Sequence, residues 1–315
     1  MESTSRPKFI DIGANLTDSM YNGIYHGSNK HLPDLGRVLE RAKGIGMEKI
    51  IITSGCLQDV YESLEICEKY DKECKFLFTT VGVHPTRCNE FVKNKYSKSE
   101  KEYLDALDEL IARNRSRIVA IGELGLDYDR LQFCDKDVQK KYFEFQLTLA
   151  EKHKLPLFLH MRNASADTFE ILQRNKSRWS EAGGVCHSFT GDLESLKGLL
   201  DDGLFIGING CSLKTDSNLE VVKNIPLDKL MLETDCPWCG IKNTHASSKY
   251  VKTVFNSIRK PEKMTEETIL SSRNEPCHIL NVAEVVYQLL SPNVDFKEFC
   301  DRVYENTVTL FKGVA

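Results

Sequence analysis

The sequence predicts an α/β protein of the TIM-barrel class, one domain spanning residues 1–315. Short apolar, β-branched runs alternate with amphipathic helical patterns, as in a parallel sheet with crossover helices. Eight such runs occur, and six of them end in a polar residue able to ligate or catalyse. A length of 315 residues suits one such barrel around a single large core.

The strands are expected at Phe9–Gly13, Lys49–Ser54, Phe76–Val83, Arg117–Glu123, Leu155–His160, Gly184–His187, Leu204–Ile208 and Lys229–Thr234. Their polar ends are Asp11, His84, Glu123, His160, His187 and Asp235, on the first, third, fourth, fifth, sixth and eighth. Between them lie apolar stripes at helical spacing. Leu35, Val38, Leu39 and Ala42 form one, Leu57, Val60, Tyr61, Leu64 and Cys67 a second, and Leu193, Leu196, Leu199 and Leu200 a third. These stripes face the core and carry no function. The connections 85–116 and 124–154 are long. Residues 1–7 read as a flexible N-terminus, and 236–276, rich in Lys, Ser, Thr and Asn, as a loop-rich excursion. Two last helices are expected near 277–290 and 295–312. No repeat, low-complexity tract or linker divides the chain.

Composition narrows the function classes. Hydrophobic residues make up 41% and charged residues 28%, an ordinary globular mixture. The net charge of -4 is unlike a protein that coats nucleic acid non-specifically. If the substrate is a nucleic acid, it must be drawn by a local patch or by bound metal. The 11 cysteines are odd in number and follow no framework spacing, which argues against a disulfide scaffold. The polar opening is not a secretory signal peptide, and no apolar run approaches a membrane span. A soluble protein of a reducing compartment is expected, in cytoplasm or nucleus.

In a barrel the strand C-termini converge on one face, where active sites are built. Glu123, His160, His187 and Asp235 then supply two carboxylates and two imidazoles to one place. Carboxylates suit hard ions and imidazole suits Zn²⁺ or Mn²⁺. Two ions sharing a carboxylate can activate a water and stabilise a leaving oxygen. No Ser, Cys or Thr nucleophile with a paired base stands out, so metal-assisted hydrolysis is the expected reaction class.

Val-Gly-Val-His-Pro at 81–85, Ile-Gly-Glu-Leu-Gly-Leu-Asp at 121–127, Pro-Leu-Phe-Leu-His at 156–160, His-Ser-Phe at 187–189 and Glu-Thr-Asp-Cys-Pro-Trp at 233–238 resemble the TatD hydrolase family. Arg-Asn-Glu-Pro at 273–276 matches its late motif. The motifs come in the family's order, cover nearly the whole chain, and look most like the eukaryotic TatD DNase domain-containing branch. The resemblance implies a distorted barrel of the amidohydrolase kind. It also implies DNA hydrolysis supported by Mg²⁺ or Mn²⁺, often as a 3′-to-5′ exonuclease, with endonuclease action left open beside it, and a nuclear setting is favoured from that substrate alone.

One departure matters. Where many members carry His-x-His, this chain has Gly13-Ala14-Asn15. Losing two imidazoles leaves Asn15, Glu123 and Asp235 for a first ion, an oxygen-rich set suited to Mg²⁺ or Mn²⁺. A second, tighter ion is expected on Glu123, His160 and His187, where Zn²⁺ also fits. The resemblance makes Asp235 the general base that holds the attacking water and Glu123 the bridge between ions. His84 is expected to face the scissile phosphate. Asp11 joins the metal set by orienting a water or anchors the first loop.

Phosphate contacts are expected from Arg87, Arg162 and Lys214, and base stacking from Phe189 and Trp238. Cys236 and Cys239 have redox-like spacing, but they follow the last strand rather than precede a first helix, and no second pair completes a zinc ribbon. No obligate protein partner is evident. The competing readings are an amidohydrolase-type small-molecule hydrolase and a catalytically weakened binding protein.

Overall fold

The computed structural model describes residues 6–265 and 268–314. Residues 1–5 of the expected flexible N-terminus lie outside the described residues. Arg6 and Pro7 pack on the chain: the Arg6 guanidinium donates to the Gly44 carbonyl. A Cβ on Gly46, whose φ is +99°, would come within 2.1 Å of the Pro7 carbonyl oxygen. Only glycine fits there.

All eight expected strands form. They are β1 (Phe9–Ala14), β2 (Met47–Ile52), β3 (Leu77–Val81), β4 (Ile118–Asp127), β5 (Leu157–Arg162), β6 (Gly184–Cys186), β7 (Phe205–Ile208) and β8 (Leu230–Leu232). Each pairs in parallel with its neighbour in chain order. The seam between β8 and β1 closes only at the C-terminal rim. There Asp235 N donates to Gly13 O at 2.8 Å and Asn15 N to Cys236 O at 2.8 Å. This is the expected distorted TIM barrel.

Ile10, Ile12, Ile51, Phe78, Phe158, Val185 and Met231 point inward and fill the barrel. Phe311 and Val314 join that cluster, so the end of the chain plugs the face opposite the rim. A larger cluster fills the layer between strands and helices. The helices are α1 (Leu35–Gly44), α2 (Leu57–Tyr70), α3 (Glu100–Arg113), α4 (Lys136–His153), α5 (Ser165–Arg174), α6 (Lys176–Trp179), α7 (Leu193–Asp201), α8 (Asp216–Val222), α9 (Ile279–Leu290) and α10 (Phe296–Leu310). Two members of the expected apolar stripes lie on these helices but outside the core. Tyr61 is 40% exposed and Leu193, the first residue of α7, is 51% exposed. None of the helices among the described residues is long and apolar enough to cross a membrane.

Two buried glutamines on α4 fix the strand ends beneath the rim. Gln146 accepts from Val83 N at 2.7 Å and donates to Val83 O at 3.1 Å, next to His84. Gln139 accepts from Asp127 N at 2.8 Å and donates to Asp127 O at 3.0 Å. Each exchange satisfies a backbone pair that no strand partner reaches.

The 236–276 excursion contains short turns and one small strand pair, Ser257–Ile258 with Ile269–Leu270. Glu284 of α9 accepts from Lys252 N, Thr253 N and the Thr253 hydroxyl, tying the excursion down. Arg273 anchors its end: the guanidinium bonds both Asp34 oxygens at 2.7 and 2.6 Å and Glu275 at 2.7 Å.

Candidate metal centre

Glu123 sits within β4 and points into the rim. Its Oε1 lies 2.7 Å from His160 Nδ1 and 2.7 Å from His187 Nε2. His84 Nε2 stands 3.4 Å from the same oxygen. Burial raises the pKa of a carboxyl, but here His187, His84 and His160 outweigh it and hold Glu123 well below the usual range. Burial disfavours an imidazolium at His187, yet Glu123 and Glu233 on its two sides push it well above its ordinary value.

The donor atoms of Glu123, His160 and His187 all lie within 4.8 Å of one another, and all three residues are buried. Three donors this close together fit a divalent cation, and one oxygen with two imidazole nitrogens is a donor set that Zn²⁺ or Mn²⁺ accepts. His84, Asp127 and His160 form a second such group. Asp127 stands 3.2 Å from His160 Nε2. Burial opposes its charge, but His160 and Arg130 prevail and lower its pKa.

His84 is held neutral: burial brings its pKa down to about 3. Its Nδ1 accepts from Thr86 N at 3.2 Å and contacts the Thr86 hydroxyl at 2.7 Å. The proton of the neutral ring is therefore on Nε2, facing Glu123.

Asp235 and Asn15 meet across the seam. Asn15 Nδ2 donates to Asp235 Oδ1 at 2.8 Å, and Cys239 Sγ donates to Oδ2 at 3.1 Å. Burial pushes the Asp235 pKa up to about 6. Among the described residues, Asp235 is not within the two tight donor groups. Asp11 is wholly buried and spends its oxygens elsewhere: Oδ1 accepts from Gly13 N and Thr234 N, and Oδ2 from the Thr234 hydroxyl. These bonds tie the first loop to the residues after the last strand.

The expected substrate contacts divide. Arg162 lines a cavity of about 650 Å³ beside the rim, with Tyr128, Lys136 and Asn163. Lys214 is exposed and Trp238 is 51% exposed. Arg87 bonds Glu90 at 2.6 Å and reaches Asp59 at 3.9 Å, so its charge is already met. Phe189 requires a correction. Its ring is only 2% exposed, packed in the core, and has no free face for a base.

Two residues beside the centre carried no expected role, Asp127 and Glu233. Asp127 shares a strand face with Glu123, because side chains four apart in a strand point the same way. That period was the signal available. Glu233 was visible only as a neighbour of Asp235.

The sequence profile described as TatD related DNase matches residues 10–312. The "Deoxyribonuclease Tat-D" of Schizosaccharomyces pombe is 42% identical, over 96% of this chain and 95% of the relative. The "3'-5' ssDNA/RNA exonuclease TatD" of Edwardsiella piscicida is 31% identical, over 87% of this chain and 89% of its own. The crystal structure of a hydrolase TatD family protein from Entamoeba histolytica superposes with a TM-score of 0.90 at 40% identity, covering 97% of this chain and 98% of that one. By this agreement along nearly its whole length, the chain belongs to the TatD related DNase family.

Proposed function

We propose that this chain is a metal-dependent deoxyribonuclease that hydrolyses DNA phosphodiester bonds as a 3′-to-5′ exonuclease. The observation that carries this reading is the convergence of His160 and His187 on one oxygen of Glu123, each at 2.7 Å. The printed activities of the Schizosaccharomyces and Edwardsiella relatives support the substrate class.

Glu123, His160 and His187 would hold a divalent cation, with Mg²⁺ or Mn²⁺ as the working ion. Bound there, the ion supplies Lewis-acid charge to the phosphoryl oxygen and makes water a better nucleophile. A second ion, on the seam side, would take Glu123, Asp235 and Asn15, once the Asn15 amide turns its carbonyl inward. Asp235 accepts the proton of the attacking water as the general base. His84 donates its Nε2–H to a non-bridging phosphate oxygen, where a neutral donor stabilises developing charge. The water oxygen bonds to phosphorus, the bond to the 3′ oxygen breaks, and that oxygen takes up a proton from solvent water while Asp235 gives its proton back to solvent. Arg162 and Lys214 contact backbone phosphates and Trp238 stacks on a base.

A single-stranded oligonucleotide labelled at its 5′ end tests the polarity. With Mn²⁺ or Mg²⁺ a ladder shortening from the 3′ end is expected. Immediate release of a labelled mononucleotide would reverse the polarity. An intact strand under every metal would overturn the reading.

A further inference from the structure

Glu233 is wholly buried, and its two oxygens do different things. Oε1 accepts from Ser188 N at 2.5 Å and from Asn209 Nδ2 at 3.0 Å. Oε2 stands 3.4 Å from His187 Nδ1, and neither of these two atoms has another partner among the described residues. The Asn209 amide that holds Oε1 also donates to the Ser188 hydroxyl at 2.9 Å, so Ser188, Asn209 and Glu233 are fixed together.

Gly13 completes the arrangement. A Cβ built on it would lie 2.8 Å from Glu233 Oε2 and 3.2 Å from Phe158 Cζ. The carboxylate fills the room that a side chain at position 13 would need. Gly13, one of the positions that departs from His-x-His, thus leaves the carboxylate of Glu233 its room.

We infer that Glu233 is a positioning residue for the metal centre: its Oε2 accepts from His187 Nδ1–H, which holds the ring proton on Nδ1 and so keeps the Nε2 lone pair directed at the ion. Carboxylate partners of ligating histidines set the tautomer in this way, and removing one costs 10- to 100-fold in metal affinity. The inference rests on the metal-centre reading above.

Glu233→Gln makes the test sharp. Glutamine keeps the volume and can still accept from Ser188 and Asn209. Its amide, however, presents a donor to His187 Nδ1. The ring must then carry its proton on Nε2, the nitrogen that faces Glu123. Mn²⁺ binding is followed by calorimetry on the full chain, and the protonation of the two His187 ring nitrogens by ¹⁵N-resolved NMR of the imidazole signals without metal. Glu233→Gln is expected to bind Mn²⁺ about 10- to 100-fold more weakly, to shift its His187 ring signals, and to unfold at an unchanged temperature.

Gly13→Ala provides a second route that leaves Glu233 in place chemically. It should weaken Mn²⁺ binding alone and add little in a Glu233→Ala background, because both changes remove the same support. Undiminished Mn²⁺ binding by either single variant, or additive losses in the pair, would overturn the positioning role. If the unaltered chain binds no Mn²⁺, the metal-centre reading fails first and takes this inference with it.

Discussion

Asp11 accepts the Thr234 hydroxyl at 2.5 Å, and this bond ties the first strand to the second residue beyond the last. The carboxyl is wholly enclosed, and burial pushes its pKa up to about 8 from 3.8. The folded chain therefore holds a proton that the unfolded chain releases between those values. Stability is full below about pH 4 for this group and declines as pH rises toward 8, by about 1.4 kcal/mol per unit at most. Asp11→Asn should flatten that decline. Denaturant midpoints at pH 5 and pH 7 for both chains decide it; equal slopes would remove Asp11 as the cause.

Arg273 bonds Asp34 twice and Glu275 once with no exposed surface, while Arg41 bonds the far side of Glu275 at 2.8 Å. Truncating it leaves two buried carboxylates short of a partner. Arg273→Ala is expected to cost about 3–5 kcal/mol. Arg273→Lys should recover little, since one ammonium cannot replace a planar fork. Chemical denaturation measures both.

Trp238 is half exposed, three residues after Asp235. Stacking on a base would make Trp238→Ala lose about 1–3 kcal/mol of oligonucleotide binding. Phe189→Leu, at a ring with no open face, should leave that affinity unchanged. Fluorescence anisotropy with a labelled single strand, at one fixed salt concentration, separates the two.

His84 presents a neutral N–H toward Glu123. His84→Ala should lower kcat by about 10²- to 10³-fold, as expected for loss of a transition-state donor, with KM changed far less. Its low pKa keeps His84 neutral across the working range, so the acid limb of the pH profile should stay where it is. A shift of that limb would assign the titration to His84.

The barrel and its rim were legible because burial on both faces writes parallel strands as apolar runs, and because six of the eight runs stopped at a polar residue able to ligate or catalyse. The fourth strand was expected to stop at Glu123 and instead continues to Asp127. The alternation through Leu124, Gly125, Leu126 and Asp127 extends it, and with that extension Asp127 joins His84 and His160. Glu233 was hidden for a different reason: its meaning depends on Ser188, Asn209 and Gly13, from three other strand ends. Phe189 could not be separated from an open aromatic by residue type, because its burial comes from neighbours distant in sequence.

The central claim is that Glu123, shared by His160 and His187, is the heart of a phosphodiesterase. Its most direct test compares the unaltered chain with Glu123→Ala on end-labelled DNA in Mg²⁺, Mn²⁺ or EDTA, with folding checked by thermal melting. Cleavage that requires Mg²⁺ or Mn²⁺ and vanishes in a folded Glu123→Ala chain is the predicted result. Cleavage undiminished by that substitution would contradict it.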